Sequence, residues 1–223
     1  MARDEALLDA VVAAGATAPP LTLRRTAWSG PATTLGRFQP FATFEVDGTP
    51  VPSVRRITGG GAISHGRDLT VAAIAPTPSL HFPDRTPLAL ATRAAETLIG
   101  ALAARAIEVR VRGGESDERS QQTIVDCFER ASPFDLVIGA ADAPVKVGGL
   151  ALYRREGFVL VQGSLLREEL GLDEENDEAL FAAWATVLGV DGVASDEFSG
   201  EEETRAAELA RERYGREAWN RRR

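Results

Sequence analysis

The chain has one cysteine, Cys127, so no internal disulfide can form. Burial alone must hold the fold, and 223 residues suffice: a domain of this size removes roughly 70–75% of its extended-chain surface from water. No apolar run reaches about 18 residues, so no transmembrane helix is expected. The start, MARDEALLDAVVAAG, interrupts its apolar pattern with Asp4, Glu5 and Asp9 and does not read as a secretion signal. The two histidines, His65 and His81, are well separated, and with a lone cysteine they offer no metal-ligand spacing; no metal site is expected. Basic excess is also missing. Lysine and arginine number 25 against 33 acids, a net charge of −8. That balance argues against nucleic-acid binding, which needs a basic face, and suits a soluble cytoplasmic protein with no membrane partner.

Residues 3–14 read as a helix. Leu7, Leu8, Val11 and Val12 recur at helical spacing, Asp4 and Glu5 favour its start, and Gly15 ends it. Strands are expected at 21–26, 32–36, 41–46 and 69–75. Residues 76–87 are punctuated by proline and form a loop. The best helix is 88–106, with Leu90, Ala94, Leu98, Leu102 and Ala106 along one stripe. A strand at 107–111 and a polar loop at 112–126 follow. Short strands at 136–138, 145–147, 151–154 and 158–161, separated by Gly and Pro, suggest an antiparallel meander. From residue 165 the chain reads as helical, notably at 178–188 and 200–214, and it ends in the basic tail WNRRR. The expectation is α+β: one domain over residues 1–223, with a mixed, largely antiparallel central sheet, flanking helices, and C-terminal helices from about 165 packed on it.

One stretch stands out. VRRITGGGAISHGRD, residues 54–68, places three glycines between an arginine pair and a histidine. Glycine costs the most backbone entropy on folding, so a run of three needs a compensating reason, such as close approach of a ligand to bare backbone. Backbone N–H groups of such a loop can converge on an anion or a thioester carbonyl, and Arg55 and Arg56 can neutralise a phosphate or carboxylate. A tight turn beside a solvated arginine pair explains the same residues. The glycine spacing is neither a P-loop nor a dinucleotide-binding fingerprint.

Arg55-Arg56-x-Thr58-Gly59-Gly60-Gly61-Ala62, followed by His65-x-x-Asp68-Leu69-Thr70, resembles the lipoate/octanoate protein ligase and transferase superfamily, whose catalytic fold is shared with biotin protein ligase. Four further segments are similar in the same order. They are Asp4 to Leu8; Trp28 to Thr33 with Leu35-Gly36-x-Phe38-Gln39; Asp126 to Glu129 with Ser132 to Leu136; and Val145 to Ala151. The resemblance runs to about Ser164 and implies a biotin/lipoate ligase-like catalytic domain.

Within that superfamily, Cys127-Phe128 resembles the cysteine-bearing segment of some octanoyltransferases. The resemblance implies that Cys127 is a nucleophile and Lys146 the cation that lowers its pKa or stabilises an oxyanion, helped by backbone N–H groups of a Gly148-Gly149 loop or of Gly59 to Gly61. Arg55, Arg56, Thr58, Gly59, Gly60, Gly61, His65 and Gly149 are then the substrate-binding candidates. The implied activity moves an octanoyl group from octanoyl-acyl-carrier protein to a lysine of a lipoyl domain or a glycine-cleavage H-type protein, without a cofactor. Two alternatives remain open: an ATP- and Mg-dependent lipoate-protein ligase, and a non-catalytic homologue that binds lipoyl domains. Taken alone, Cys127 also reads as a buried apolar thiol, Lys146 as a surface lysine in a turn, and His65 as a satisfied histidine orienting the glycine loop. The chain departs from the family pattern at Leu152, where glutamine is usual, and at Gln162, where histidine is usual.

Overall fold

The segment LTVAAIA is apolar at every position after its first threonine, and such a strand belongs where both faces are covered. In the computed structural model, which describes residues 1–46, 48–113, 132–190 and 197–222, it lies in β7 (Asp68–Pro76), buried throughout except at its last residue. Its neighbours are β1 (Thr22–Thr26) and β11 (Phe158–Leu166), both antiparallel to it. The sheet continues from β11 through β10 (Val145–Arg155) and β9 (Leu136–Ile138) to β8 (Arg110–Val111), antiparallel at every step.

Alternation along these strands separates two cores. Val71, Ala73, Val159 and Val161 face α2 (Pro87–Ala103), where they meet Leu90, Leu98 and Leu102. α3 (Asn176–Val187) packs on the same side, and its buried Trp184 donates Nε1–H to Thr97 Oγ1 at 3.0 Å. Ala72, Ile74 and Leu160 face the other way, onto Leu8 and Val11 of α1 (Ala2–Ala14) and Leu209 of α4 (Gly200–Leu209). The expected α+β architecture is therefore present. A smaller sheet orders β5 (Ser53–Arg55), β2 (Ala32–Leu35) and β6 (Ile63–His65), and a hairpin joins β3 (Phe44–Val46) to β4 (Thr49–Val51). No described helix is long and apolar enough to cross a membrane.

Three local expectations are corrected. The 145–147 and 151–154 strands are one strand, because Gly148 and Gly149 stay in the ladder opposite Leu165 and Ser164. An added Cβ at Gly148 would lie 2.7 Å from Leu165 Cδ2, so this glycine makes room for the core and does not form a loop. The 88–106 helix stops at Ala103, and Ala106 takes φ +59°, which closes the turn. The strand expected at 107–111 shortens to β8.

The basic tail is docked. After the turn Ala210–Tyr214, the short helix α5 (Glu217–Asn220) brings Trp219 against Tyr214, edge to face at 6.1 Å. Trp219 donates Nε1–H to the carbonyl of Arg55 at 2.8 Å. Asn220 accepts from the Arg55 amide at 2.9 Å and donates to the Tyr214 carbonyl at 2.8 Å. Trp219→Ala should lower the unfolding free energy by about 2 kcal/mol, since it removes both ring packing and a donor to a buried carbonyl. Urea denaturation checks this; an unchanged midpoint would show that the tail contributes nothing to the fold.

Candidate functional site

A guanidinium is costly to bury unless its donors are satisfied. Arg55 and Arg56 are 0% and 2% exposed. Arg55 donates to the carbonyls of Gly36 at 2.8 Å, Gln39 at 2.6 Å, Arg37 at 3.2 Å and Asn220 at 3.0 Å. Burial, then the charge of Arg222, holds it below its ordinary value. Arg56 donates to the carbonyls of Gly59 and Gly61, both at 2.7 Å, and of Thr34 at 3.0 Å. The solvated-pair reading is thus corrected: both guanidiniums are turned largely inward onto backbone carbonyls, and the buried Nη2 of Arg55 has no acceptor among the described residues. Arg56 shapes the glycine loop from beneath, and Arg55 the turn at Gly36 to Gln39.

The glycines follow from that arrangement. A Cβ on Gly36 would lie 1.8 Å from the Gly60 carbonyl oxygen, so the two backbones touch as only glycine permits. Gly60 has φ +86° and is exposed, whereas Gly61 is buried. Thr58 is fully buried and donates to Gln162 Oε1 at 2.6 Å; Gln162 in turn donates to Asp4 Oδ2 at 2.5 Å.

His65 stacks on Trp28 with ring centroids 4.0 Å apart. Its Nδ1 lies 2.9 Å from Asp68 Oδ2 and its Nε2 lies 2.8 Å from Thr34 Oγ1. A carboxylate only accepts, so Nδ1–H donates to Asp68, while Nε2 is paired with the Thr34 hydroxyl. Both ring nitrogens are engaged within the protein, as in a histidine that orients the loop. Asp68 Oδ2 also accepts from Ser164 and Thr70, both at 2.7 Å. Burial alone would raise the Asp68 carboxyl, but His65, Ser164 and Thr70 outweigh it and hold the group below its ordinary 3.8. His81 lies apart from this network, bound to the Leu188 carbonyl at 2.6 Å.

Cross-strand partners share a face of the sheet. Thr70, Ser164 and Gly149 form one such row, and Ala72, Gln162 and Ala151 the next. Asp68 belongs to this face as well, two residues from Thr70. A β-bulge adds Lys146 to it. Lys146 pairs with Val137, Val147 is the extra residue, and Gly148 pairs with Leu136. Leu136 and Val147 lie in the α2 core. The bulge therefore turns Lys146 toward the opposite face, that of Gly149 and Ala151.

Lys146 is 7% exposed, so the solvated-lysine reading does not hold. Its Nζ lies 2.6 Å from Asp135 Oδ1, while Asp135 Oδ2 accepts the Ser132 amide at 2.7 Å. Burial raises the Asp135 carboxyl above its ordinary value despite the opposing charge of Lys146. Sequence reading missed Asp135 as a site residue, although it ends the Ser132-Pro133-Phe134-Asp135 motif. It also missed a plain signal: Lys146 is the only lysine among the 25 lysines and arginines. Cys127 lies outside the described residues. One part of the candidate site thus joins Lys146, Asp135, Gly149, Ser164, Asp68 and His65 around a single face.

The lipoyl protein ligase A/B catalytic domain matches residues 1–171 of this chain. The chain belongs to that family. Proteins named octanoyltransferase LipM are among its relatives: one from Exiguobacterium sp. is 33% identical over 83% of this chain and 65% of its own length. A second, from Moorella thermoacetica, is 33% identical over 74% of this chain and 59% of its own length. The chain thus spans about three-fifths of the curated relatives it matches. Solved lipoate-protein ligases share the fold. A lipoate-protein ligase A bound with ATP superposes with a TM-score of 0.70 over 98% of this chain and 91% of its own, at 21% identity. A bi-partite lipoate protein ligase from Thermoplasma acidophilum does so at 0.66 and 19% identity, over 98% and 91%.

The glycine loop and the Asp68 network each generate a prediction. Gly36→Ala should cost at least about 2 kcal/mol, because its Cβ meets backbone. Gly59→Ala, with nothing within 4 Å, should change stability by less than about 0.5 kcal/mol. Equal effects in urea melts would refute the close contact. Asp68→Asn should cost about 2 kcal/mol at pH 7. An acid with a depressed folded pKa stabilises above its unfolded value and loses that contribution as pH falls through the folded one. The gap between wild type and variant should therefore close below about pH 4, and melts from pH 7 to pH 2.5 check it.

Proposed function

We propose that this chain is an acyltransferase of the octanoyltransferase type. It takes an octanoyl group from the thioester of an acyl-carrier protein onto Cys127 and passes it to a lysine of a lipoyl domain or glycine-cleavage H-type protein. The observation that carries the reading is Lys146: a single lysine, buried, turned by a bulge onto the glycine-loop face. Its partner Asp135 lies in the segment that follows Cys127. The LipM relatives support the same reading.

The chemistry balances without a cofactor. The Cys127 thiolate attacks the donor carbonyl, a tetrahedral oxyanion forms, and the carrier's thiolate leaves. One thioester has replaced another at little energetic cost. The acceptor amine then attacks, loses a proton, and expels Cys127 as an amide forms, which is downhill. A fixed ammonium at Lys146 stabilises both the thiolate and the oxyanion, and Asp135 keeps that ammonium in place. Arg55 and Arg56 place most of their donors on backbone carbonyls, which leaves few for the phosphates a ligase would bind.

Intact-protein mass after mixing with octanoyl-acyl-carrier protein and no ATP tests this. Wild type should gain one octanoyl group, released by hydroxylamine, and Cys127→Ala should gain none. With one cysteine in the chain, a hydroxylamine-resistant adduct would point to an amine, Lys146 or the Met1 α-amine, and refute the thioester. Lys146→Met should slow acylation by about 100- to 1,000-fold. Product formation that needs ATP and survives Cys127→Ala would establish the ligase alternative, and lipoyl-domain binding with no turnover the non-catalytic one.

A further inference from the structure

The sheet carries a second feature, around residues Leu152 to Arg154 of β10. A cavity of about 270 Å³ is lined there by Arg37, Phe38, Gly59, Leu152, Tyr153 and Arg154, among others. Gly59 belongs to the glycine loop, so the cavity borders the face described above.

Its cations stand out in a chain of net charge −8. Arg37 lies over the rings of Phe38 and Tyr153, at 5.6 and 5.2 Å. Arg154 donates to the carbonyl of Arg85 at 2.8 Å. Arg37 is half-buried and Arg154 exposed, and among the described residues neither has a carboxylate within ion-pair distance, unlike Arg24 with Asp4 and Arg155 with Asp9. The docked tail adds to the imbalance. Arg222 lies against Trp219, and burial together with the charges of Arg37 and Arg213 holds its guanidinium below its ordinary value. Phe38 is 82% exposed at the rim. Cations left without counter-ions beside a cavity call for an anionic ligand, and arginine forks match phosphate oxygens.

We infer that the cavity between Arg37 and Arg154 binds the phosphodiester of a phosphopantetheine arm, holding an acyl donor at this end of β10 while its thioester reaches the Lys146 end. This rests on the transfer reading above. The span favours the donor over the acceptor. Lys146 and Tyr153 are seven residues apart on one strand, about 20 Å at the rise of a β-strand. An extended phosphopantetheine arm covers a distance of that order, whereas the methylene stem of an acceptor lysine does not. Only the donor therefore carries a phosphate at the right separation from its reacting carbon.

The test uses paired donors. Acylation of Cys127 is timed with octanoyl-pantetheine and with octanoyl-4′-phosphopantetheine, which differ only in the phosphate, and with octanoyl-acyl-carrier protein. The phosphorylated donor should have a kcat/KM about tenfold or more above the neutral one, the scale of one well-placed charge-assisted contact. In Arg37→Gln/Arg154→Gln that ratio should fall to within about twofold of unity. A ratio near one in wild type, or a ratio kept in the double variant, overturns the assignment. Calorimetry of 4′-phosphopantetheine and of pantetheine with the full chain reads the cavity independently of turnover. If no donor acylates Cys127, the transfer reading fails, while selective binding of the phosphorylated arm, lost in the double variant, still places a phosphate here. Binding of ATP but not of phosphopantetheine would assign the cavity to a nucleotide and overturn the inference.

Discussion

The glycine loop depends on one buried cation. Arg56 gathers the carbonyls of Thr34, Gly59 and Gly61 around its guanidinium, and without it these oxygens would lose their charged donor. A buried guanidinium tolerates this place because a fork of N–H donors suits several carbonyls at once, while an ammonium presents a compact point charge. Arg55 does the same one residue earlier, for the turn at Gly36 to Gln39 and for the docked tail. The pair joins β2, β5, the glycine loop and α5 into one body.

The large elements were legible because their pattern and their environment agree. LTVAAIA is apolar on both faces and lies at the centre of the sheet; the stripe through Leu90, Leu98 and Leu102 faces a core. The errors have a common cause. Gly148 and Gly149 read as punctuation, yet in β10 they make room for Leu165 and leave a small-residue row beside Ser164. Glycine signals a missing side chain, and only the neighbours decide whether that permits a turn or a close contact. The arginine pair failed similarly. Residue type gave a cation near glycines, but whether a guanidinium points to solvent or to carbonyls is settled by β2 and the tail, both distant in sequence. The tail itself looked like a charge run, and nothing local announced that Trp219 and Asn220 would cap Arg55.

The departures at Leu152 and Gln162 can be read in the same terms. Gln162 occupies a position where its amide serves both ends: Oε1 accepts from Thr58 in the glycine loop and Nε2 donates to Asp4 in α1. A neutral histidine has one donor and one acceptor at fixed separation, so an amide can replace that function without a charge. The polar thread from loop to sheet to first helix is thus complete. Leu152 packs against the α2 core and also lines the cavity beside Arg154. Neither change reaches the row that holds Ser164, Asp68 and Gly149, nor the Lys146–Asp135 pair.

The contrast between arginine and lysine carries the last step. Everywhere else this chain uses arginine for its cations, including the two most deeply buried ones. At position 146 it uses lysine, on the residue that the bulge turns toward the site face. Arginine would offer a broader, fixed fork whose donors are best matched by several acceptors at once. Lysine offers one compact charge on a slender stem with rotatable donors, one of which holds Asp135. Under the proposed transfer, the charge to be met changes place from a sulfur to an oxyanion within a few ångströms, and a point charge with rotatable donors serves both. A fork already closed around carbonyls, like those of Arg55 and Arg56, could not. The division of labour between scaffold arginines and one site lysine is thereby a physical consequence of what each head group can satisfy.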